Sequence, residues 1–383
     1  MARWVAPWLF PDLDPGDIES VAESSLDFPV PLLEIEPGIW VLELFHGPTL
    51  AFKDVGARFM AALMEKVSRG ATEGGWTNRT VLVATSGDTG GAVASAFHGR
   101  RGYRVVVLFP GDAISERQRR QMTTLGGNVT AVAVAGTFDD CQRLVKEAFL
   151  DEALSEEHGL TSANSINVGR WLPQTLYYFH AARLLPEAHF VVPAGNLGNL
   201  CAGLLAWRCG MPAEGLTAAT NENRAFVEYL DGAPFEARPS IRTSSNAMDV
   251  GDPSNLERVR WLFGDDAGVR ANVHGHAVSD ADVVRCIGDL HRRTGYIADP
   301  HTAVAYVAAT RDTEAAGKPV VVLATAHPAK FPKTVEHAIG QPVDVPAALR
   351  ALDDLDESMR SIPPHLSALS GILADPSTRF EPS

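Results

Sequence analysis

The sequence predicts an α/β protein whose sheets are mostly parallel. Two observations lead to this fold class: apolar runs rich in β-branched residues recur along the chain, and a segment with helical periodicity follows each of them. The runs are, in chain order, "TVLVATS", "YRVVVLFP", "NVTAVAVAG", "HFVVPAG", "GLTAATN" and "KPVVVLATA". Because a helix between two strands returns the chain to the same end of the sheet, we expect these strands to pair in parallel.

The same pattern indicates two lobes. The first three runs follow one another closely, and the segment "HGLTSANSINVGRWLPQ" then interrupts the alternation before the fourth run. We predict a smaller, mobile lobe at 77–162, inserted into a larger lobe formed by 1–76 and 163–383. In the larger lobe the start is irregular and Pro-rich, 231–255 is polar, and the last forty residues are expected to form a surface helix and a frayed tail.

Composition and charge limit the class of protein. With 383 residues, 45% of them hydrophobic and 21% charged, the chain can bury a large core. No apolar run reaches the roughly 18 residues that span a bilayer, and acidic residues and prolines interrupt the N-terminus, so we expect a cytoplasmic protein without a membrane partner. A net charge of −14 argues against a nucleic-acid partner, although a local basic pocket could still bind a phosphate.

The cysteines do not form a recognisable pattern. Cys141, Cys201, Cys209 and Cys286 are widely scattered, with no CxxC pair and no histidine cluster at metal-ligand spacing. Neither a disulfide framework nor a metal site is therefore predicted, and we expect these cysteines to be small buried hydrophobic residues.

A first candidate loop is "VVPAGNLGNLCAGLLA", in which a strand ends at Pro193 and a helix begins near Asn199. Glycines 195 and 198 would let backbone N–H groups converge on an anion at the helix N-terminus. The loop is neither a Walker A nor a GxGxxG motif, which argues against a nucleotide. Taken alone, a tight turn without a ligand explains it equally well.

A second candidate loop is "LVATSGDTGGAVASAFHG", again a strand, a turn and a helix of small residues. Ser86, Gly87, Asp88 and Thr89 offer hydroxyls and backbone donors at a helix N-terminus, which suits the carboxylate of an amino-acid substrate. A helix cap is the alternative, since Asp is favoured in that position.

The third candidate loop is "VLATAHPAKF", where an apolar strand ends at Thr325. Ligands of α/β proteins bind at the carboxyl ends of the strands, so this hydroxyl could bind a heterocyclic nitrogen. A single threonine at a strand end is more often structural.

Lys53 connects these loops into one hypothesis. It stands between Phe52 and Asp54 in "HGPTLAFKDVGARFM", where an apolar helix is predicted to begin, and alone it could simply extend its ammonium to water. A phosphate loop, a second anion loop and a lysine among apolar neighbours together fit pyridoxal 5'-phosphate, because a lysine forms a Schiff base with its aldehyde. We therefore predict that Lys53 binds this cofactor.

Longer motifs point to a family. The segments "LELFHGPTLAFKD", "ATSGDTG", "TSANSINVGR", "GNLGNLCAGLLA", "SSNAMDVGDPSN", "ADPHTAVAY" and "TAHPAKF" occur in the family's order and closely resemble the threonine synthase family of fold type II pyridoxal phosphate enzymes. The likeness covers roughly residues 40–340. It implies a two-lobed fold like the tryptophan synthase β subunit, with helices flanking parallel-rich sheets.

The resemblance implies roles for single residues. Lys53 matches the catalytic Schiff-base lysine, and Arg170 stands out among the substrate ligands because a guanidinium binds phosphate through two donors. The family commonly has phenylalanine where Leu197 stands, a change that we expect to be mild because the backbone binds the phosphate. The implied cofactor-binding residues are Lys53, Asp88, Gly195, Asn196, Leu197, Gly198, Asn199 and Thr325, and the implied substrate-binding residues are Thr85, Ser86, Gly87, Thr89, Ser165, Asn167 and Arg170.

The resemblance also implies an activity: conversion of O-phospho-L-homoserine and water to L-threonine and phosphate with pyridoxal 5'-phosphate. The expected partner is thus a small phosphorylated amino acid, and we expect a monomer or a homodimer. The alternative is a related fold type II enzyme that eliminates or replaces a β or γ group on another O-activated amino acid.

Two departures from the family bear on this expectation. The family's bacterial form has a longer region before the lysine, so we expect part of an N-terminal domain to be missing. Asp112 and Glu116 in "FPGDAISERQRRQM" stand where the family usually has a basic residue and a proline, so active-site closure or substrate choice is expected to differ. His46 and His327 are expected to form hydrogen bonds rather than transfer protons, and Lys330 could attract phosphate or be an exposed charge.

Overall fold

We describe the protein from a computed structural model, which covers residues 11, 13–70, 78–111, 114–312, 315 and 317–378. In chain order the strands are β1 (Leu32–Glu36), β2 (Ile39–Glu43), β3 (Arg79–Ala84), β4 (Tyr103–Pro110), β5 (Val129–Val134), β6 (Leu160–Ser162), β7 (Ala188–Pro193), β8 (Ala213–Thr220), β9 (Val273–Ala277), β10 (Val320–Ala324) and β11 (Arg360–Ile362).

The helices of the described residues are α1 (Pro15–Ser25), α2 (Lys53–Gly70), α3 (Asp88–Phe97), α4 (Glu116–Thr123), α5 (Phe138–Leu150), α6 (Glu152–His158), α7 (Val168–Trp171), α8 (Thr175–Leu184), α9 (Gly198–Arg208), α10 (Ala225–Leu230), α11 (Leu256–Phe263), α12 (Asp266–Asn272), α13 (Asp280–Thr294), α14 (Pro300–Arg311), α15 (Pro332–Ile339), α16 (Ala347–Arg350) and α17 (Leu366–Ala374). Single 3₁₀ turns lie at Leu172–Gln174, Asn246–Met248, Pro328–Lys330 and Pro376–Thr378. Within these ranges, no helix is both long enough and apolar enough to cross a bilayer.

The described residues group into two compact units. The first unit contains 28–52 and 171–344, and the second contains the described parts of 11–27, 53–170 and 345–378. The units thus differ from the predicted lobes, because α2 and the C-terminal residues group with the second unit. The lobe boundaries at 77 and 162 stay a prediction.

Each unit is built on one sheet. In the first unit the strand order is β1-β2-β10-β7-β8-β9; β1 and β2 pair antiparallel, and the other neighbouring strands pair in parallel. In the second unit the order is β11-β5-β4-β3-β6, and all neighbours are parallel. The predicted α/β class with parallel-rich sheets is confirmed.

The apolar runs of the sequence reflect sheets that are covered on both faces. In β3, Val81 and Val83 pack in one buried cluster with residues of α3, whereas Leu82 and Ala84 pack in another with residues of α5. Successive side chains of a strand point to opposite faces, so a strand buried on both faces has no polar alternation. All six runs predicted as strands form strands, β3, β4, β5, β7, β8 and β10, and a helix follows each.

Two regions differ from the prediction. The start expected to be irregular contains the hairpin β1–β2, turned at Pro37 and Gly38, and Gly38 has a φ of +80°. In the expected surface helix and frayed tail, β11 pairs in parallel with β5, and Leu369 and Leu373 of α17 are buried. The predicted helix is thus present as α17, with one exposed and one buried face, whereas the strand β11 was not predicted. Residues 379–383, where the frayed tail was expected to end, lie outside the described residues.

The cysteines are free thiols. Cys141, Cys201 and Cys286 are buried, as predicted, and burial raises the pKa of each thiol to about 12. Such thiols are not reactive thiolates at neutral pH. The prediction of burial was wrong for Cys209, which directly follows α9 and is exposed.

Glu357 links the C-terminal segment to α4 within the second unit. Both of its carboxylate oxygens accept hydrogen bonds from Arg119, at 2.8 and 2.9 Å, and the Thr123 hydroxyl donates a third bond of 2.7 Å. Arg120 adds a fourth contact of 3.1 Å. These hydrogen bonds and the nearby positive charges lower the pKa of Glu357 from 4.5 to about 2.

This shift predicts an acid-sensitive contribution to stability. Because the folded-state pKa lies below the unfolded value, the stabilisation is present above pH 4.5 and is lost as the pH falls towards 2. We expect Glu357→Gln to lower the free energy of unfolding by about 1–2 kcal/mol at pH 7, a modest value because water screens partly exposed charges. At pH 3 the loss should be much smaller. Urea unfolding at both pH values checks this. As a control, Asp353→Asn should change the free energy of unfolding little at either pH, because Asp353 pairs with Arg117 at 3.4 Å on the surface. An equal loss at both pH values for Glu357→Gln would contradict the prediction.

Candidate active site

The chain just before Lys53 is attached to the end of β10. Ala51 and Ala326 form an isolated antiparallel bridge, and the Phe52 N–H donates a hydrogen bond of 2.9 Å to the Thr325 carbonyl. Lys53 is the next residue and the first of α2, and its side chain is partly buried. Main-chain hydrogen bonds therefore hold the segment from which the predicted catalytic lysine extends.

Lys330 supports the same segment. Its side chain is fully buried, and its Nζ donates a hydrogen bond of 2.9 Å to the Thr49 carbonyl. The option that Lys330 is an exposed surface charge was therefore wrong. The apolar neighbours in "PAKF" were the only sequence signal of this burial, because a hydrogen bond to a residue far away in the chain leaves no local pattern.

The two histidines of the motifs form hydrogen bonds. His327 Nδ1 accepts from the Ala329 N–H at 3.2 Å, and burial lowers the pKa of His327 to about 4, so the ring is neutral at physiological pH. His46 Nε2 lies 2.7 Å from a Glu43 carboxylate oxygen. Both contacts agree with the expected role as hydrogen-bond formers.

The loop after β7 has the backbone shape of an anion-binding turn. Leu197 occupies the N-cap position of α9 with a φ of +59°, in the left-handed region that costs a non-glycine residue roughly 1–2 kcal/mol. Gly198 then begins the helix, whose first N–H groups have no partner within the helix. A strained residue held at the positive end of a helix dipole is the arrangement expected for a phosphate ligand.

Asn199 supplies a buried donor to this loop. Its side-chain oxygen accepts hydrogen bonds from the hydroxyls of Tyr177 (2.6 Å) and Tyr178 (2.8 Å). Burial raises the pKa of both phenols well above the usual value, so both remain donors and the amide orientation is fixed. Among the described residues, no acceptor contacts Asn199 Nδ2. A phosphate oxygen would satisfy this N–H group, so the loop fits the phosphate of the predicted cofactor.

Asn196 and Gly195 connect the loop to the rest of the first unit. Asn196 Oδ1 accepts from the Ser254 N–H at 2.6 Å, and its carbonyl accepts from Asn255 Nδ2 at 2.7 Å. A Cβ atom on Gly195 would lie 2.7 Å from Met248 Cα, so only glycine fits there. The Asn196 side-chain oxygen thus accepts a hydrogen bond from the protein itself. This agrees with the expectation that backbone N–H groups of the loop, rather than this side-chain oxygen, bind the phosphate.

Thr325 lies at the same edge of the sheet as this loop. It directly follows β10, is buried, and belongs to a strand whose parallel neighbour is β7, with Val322 opposite Val191. Neighbouring strands are about 4.8 Å apart, so the residues that follow both strands meet at one edge. The first unit thereby brings together three predicted elements: the phosphate loop, Thr325 and the segment that leads to Lys53.

In the second unit, the loop after β3 is shaped by its own threonine. The Thr85 hydroxyl accepts hydrogen bonds from the N–H groups of Gly87 (2.9 Å) and Gly90 (2.8 Å), and Thr85 is buried. Ser86 and Thr89 are only partly buried. The hydroxyl of Thr85 therefore stabilises the turn, and contacts of Thr85, Ser86, Gly87 and Thr89 with substrate stay a prediction.

Gln118 holds the Asp88 carboxylate. Its Nε2 donates a hydrogen bond of 3.0 Å to Asp88 Oδ1, and both side chains are buried. Its Oε1 accepts from the Ser115 N–H, and the Ser115 hydroxyl accepts from the Gln118 N–H, which forms a capping box at the start of α4. Sequence reasoning missed Gln118, although the Ser-x-x-Gln spacing was visible. Glu116 is exposed in the first turn of α4, where an acidic residue is favourable, and Asp112 lies outside the described residues.

Arg170 is a buried cation in the second unit. One guanidinium nitrogen donates to the Ala163 carbonyl, whereas Nε has no hydrogen-bond partner among the described residues. Burial lowers the pKa of Arg170 to about 10, and the negative charge of Asp54 opposes this shift, so the group stays charged at neutral pH. A buried charge with an unused donor fits a phosphate ligand.

Neighbouring residues order the segment that contains Arg170. Asn167 Nδ2 donates to the Ser162 carbonyl and its Oδ1 accepts from the Gly169 N–H, both at 3.0 Å. Asn164, which sequence reasoning missed, donates to the Ala84 carbonyl at 3.0 Å and so joins this segment to the loop after β3. Both polar groups of Asn167 are thus used within the segment. Contacts of Asn167 and the partly buried Ser165 with substrate stay a prediction.

Two family profiles match this chain. A family profile described as "Pyridoxal-phosphate dependent enzyme" matches residues 26–326, and one described as "Threonine synthase, C-terminal" matches residues 302–372. A threonine synthase of Serratia marcescens is 42% identical over 359 residues, which cover 92% of this chain and 81% of that protein.

Two solved structures are similar over nearly the whole chain. The crystal structure of threonine synthase from Escherichia coli has a TM-score of 0.91 and 40% identity, and the match covers 97% of this chain and 86% of that one. The PLP-bound threonine synthase from Brucella melitensis has a TM-score of 0.86 and 35% identity, with 96% and 86% covered. The chain belongs to the fold type II pyridoxal-phosphate-dependent enzymes and, among them, to the threonine synthase family.

Proposed function

We propose that the protein converts O-phospho-L-homoserine and water to L-threonine and phosphate. The observation that carries the proposal is the phosphate loop of the first unit, in which the buried Asn199 amide has a fixed orientation and an unused N–H group. This loop lies at the same sheet edge as Thr325, whose carbonyl binds the residue before Lys53. These residues would hold pyridoxal 5'-phosphate, the loop 195–199 through its phosphate and Lys53 through its aldehyde.

The cofactor, when bound, supplies an electron sink for negative charge that develops on the substrate's carbon atoms. The protein's own groups position the reactants and move protons. Lys53 Nζ, once released as a free amine, would accept the proton from substrate Cα and then, after passing that proton on, the proton from Cβ. Protons would be returned to Cγ after phosphate leaves and to Cα when water adds at Cβ. The Thr325 hydroxyl would face the pyridine nitrogen without forcing its protonation, as a carboxylate would.

The implied substrate ligands are the loop 85–89 and the segment that ends at Arg170. The N–H groups and hydroxyls of the loop 85–89 suit the substrate carboxylate, and Asp88, held by Gln118, would lie near the cofactor ring. The Arg170 guanidinium would bind the γ-phosphate and stabilise it as it leaves. Water must be excluded before phosphate leaves and admitted afterwards to add at Cβ, so we expect closure over the substrate.

The direct test is product analysis with the purified, cofactor-loaded protein. We expect O-phosphohomoserine to yield phosphate and threonine in equal amounts. O-phosphoserine and O-acetylated amino acids, tested in parallel, should react far more slowly. Faster turnover of one of these compounds, or release of phosphate without threonine, would replace the proposal with the related elimination or replacement enzyme.

Location and assembly also belong to the proposal. We propose a cytoplasmic enzyme that acts as a monomer or a homodimer on a small phosphorylated amino acid. Light scattering during size-exclusion chromatography would distinguish the two states.

A further inference from the structure

Two motifs have no role in the proposed chemistry, "SSNAMDVGDPSN" and "ADPHTAVAY". The first contains the 3₁₀ turn Asn246–Met248, and the second begins helix α14. Both belong to the first unit, which also contains the phosphate loop. Their contacts show what joins them.

The turn Asn246–Met248 lies directly against the phosphate loop. A Cβ atom on Gly195 would be 2.7 Å from Met248 Cα and 3.1 Å from the Ala247 carbonyl oxygen. Backbone therefore packs against backbone, with no side chain between them. Because close-packed backbone atoms leave no space between the two segments, a displacement of the turn would change the position of Gly195, the first residue of the loop.

His301 holds this turn from the other side. It is buried in the first turn of α14, and its Nε2 accepts a hydrogen bond of 3.2 Å from the Ala247 N–H. Its Nδ1 lies 2.6 Å from Asp299 Oδ1. Because a carboxylate only accepts, Nδ1 carries the proton and Nε2 is the acceptor, so a single tautomer satisfies both contacts. The ring of Phe331 packs edge-on against the imidazole at 5.0 Å and limits its rotation.

Asp299 connects this pair to the helix. It is the N-cap of α14, and its side chain accepts from the N–H groups of His301 (2.9 Å) and Thr302 (3.2 Å) as well as from the His301 ring. The imidazole is therefore fixed to the end of a buried helix. A hydrogen bond to a side chain that is held in this way can define the position of a loop to within a fraction of an ångström.

We propose that His301 is a positioning residue for the cofactor phosphate: through the Ala247 N–H it holds the turn Asn246–Met248 against Gly195, and so sets the geometry of the phosphate loop. This inference rests on the proposed function, because it takes 195–199 as the phosphate-binding loop. His301 does not itself contact the cofactor in this role.

Other bonds to the same segment limit the expected effect. Asp249, which follows the turn, accepts hydrogen bonds from Asn221 Nδ2 (2.9 Å) and the Thr243 hydroxyl (2.6 Å). The Asn196 side chain accepts from the Ser254 N–H. Loss of the His301 contact should therefore displace the turn without releasing the whole segment, so we expect a moderate loss of phosphate recognition.

The test compares two ligands that differ only in the phosphate. Apoprotein is titrated with pyridoxal 5'-phosphate and with pyridoxal, and the two dissociation constants are measured for wild type and for His301→Leu. We expect His301→Leu to weaken binding of pyridoxal 5'-phosphate about tenfold and to leave that of pyridoxal within about twofold, so that the preference for the phosphorylated ligand falls. His301→Gln, which retains an acceptor, should recover part of this preference. If His301→Leu does not fold, His301→Gln alone should still weaken pyridoxal 5'-phosphate more than pyridoxal, by a few-fold, and an equal effect on both ligands would contradict the inference.

Two control variants distinguish failure of the inference about His301 from failure of the assignment of the phosphate loop. Asn199→Asp keeps the acceptor for Tyr177 and Tyr178 but replaces the amide N–H groups with an anionic oxygen, so it should reduce the preference more strongly than His301→Leu. His189→Gln alters another buried histidine, at the opposite end of β7 from the loop, where His189 bonds to Thr217 at 2.8 Å. His189→Gln should leave the preference for pyridoxal 5'-phosphate over pyridoxal unchanged.

Each outcome then has one meaning. If Asn199→Asp reduces the preference and His301→Leu does not, or if His301→Leu weakens both ligands equally, the inference about His301 is wrong and the proposed loop stands. If Asn199→Asp also leaves the preference unchanged, the assignment of the phosphate loop itself fails. A reduced preference in both variants, with His189→Gln unchanged, supports the inference.

Discussion

Lys53→Ala is expected to lower turnover by at least about a thousandfold, because a single side chain serves as the attachment point of the cofactor and as the general base. Cofactor should still bind, but more weakly and without a covalent link, since the phosphate loop belongs to the first unit and does not use Lys53. The wild-type protein should be yellow, and borohydride should fix the chromophore to one peptide. Absorbance spectra, peptide mapping and single-turnover rates check these results.

The structure offers a stringent control for this assignment. Lys330 is a second lysine within the motifs and is fully buried, but its Nζ donates to the Thr49 carbonyl. Label recovered on the peptide that contains Lys330 would therefore overturn the assignment to Lys53. Lys66→Ala changes a lysine on the same helix, α2, that forms a surface ion pair with Asp17, and it should keep wild-type turnover.

The central strands and the candidate loops were predictable because their signals are local. A run of β-branched residues, then a turn with Gly or Pro and then a helix form a signal of about twenty residues. β3 and β7 are followed by Gly-containing turns and β10 by a turn with Pro328. The hairpin β1–β2 had an equally local signal, Pro37-Gly38 between two apolar runs, and sequence reasoning did not use it. β11 has only three residues, and its pairing with β5 depends on a contact far away in the chain.

The supporting residues could not be predicted for the same reason. Gln118 binds Asp88 across thirty residues, and His301 binds the backbone of Ala247 across fifty-four. The Ser115-x-x-Gln118 spacing indicates a helix cap, but it does not indicate the contact with Asp88. Neither long-range contact leaves a periodicity or spacing in the sequence, since both arise only when separate elements pack together. The sequence therefore indicates the groups expected to contact cofactor and substrate, whereas the groups that hold them become visible only in the structure.

Arg170 shows how burial adds to a motif-based assignment. The motif "NSINVGR" implies a phosphate ligand, and the structure shows a buried guanidinium whose Nε has no partner among the described residues. Other candidates are less suitable. Lys330 donates to a carbonyl in the first unit, and Arg120 donates to the carbonyls of Leu352 and Leu355 and to Glu357.

Arg170→Met is thus expected to lower kcat/KM for O-phosphohomoserine by more than tenfold, mainly through a higher KM. The lost charged contact with a desolvated phosphate is worth roughly 2–5 kcal/mol in comparable interfaces. Cofactor affinity should change little, because the loop 195–199, which is proposed to bind the cofactor phosphate, does not include Arg170. Steady-state kinetics and cofactor titration of the same preparation check both results.

Stability provides an independent readout for Arg170. A buried cation with an unused donor costs free energy when no ligand is bound, so Arg170→Met should unfold at a similar or higher urea concentration than wild type. Arg104 is a matched control, a buried arginine of the same unit that donates to Thr80 and to the Leu373 carbonyl. Because its donors are used in the fold, Arg104→Met should lower stability by about 1–3 kcal/mol and leave KM unchanged. If Arg170→Met instead destabilises the protein as strongly as Arg104→Met and leaves KM unchanged, Arg170 is a structural residue and another group binds the substrate phosphate.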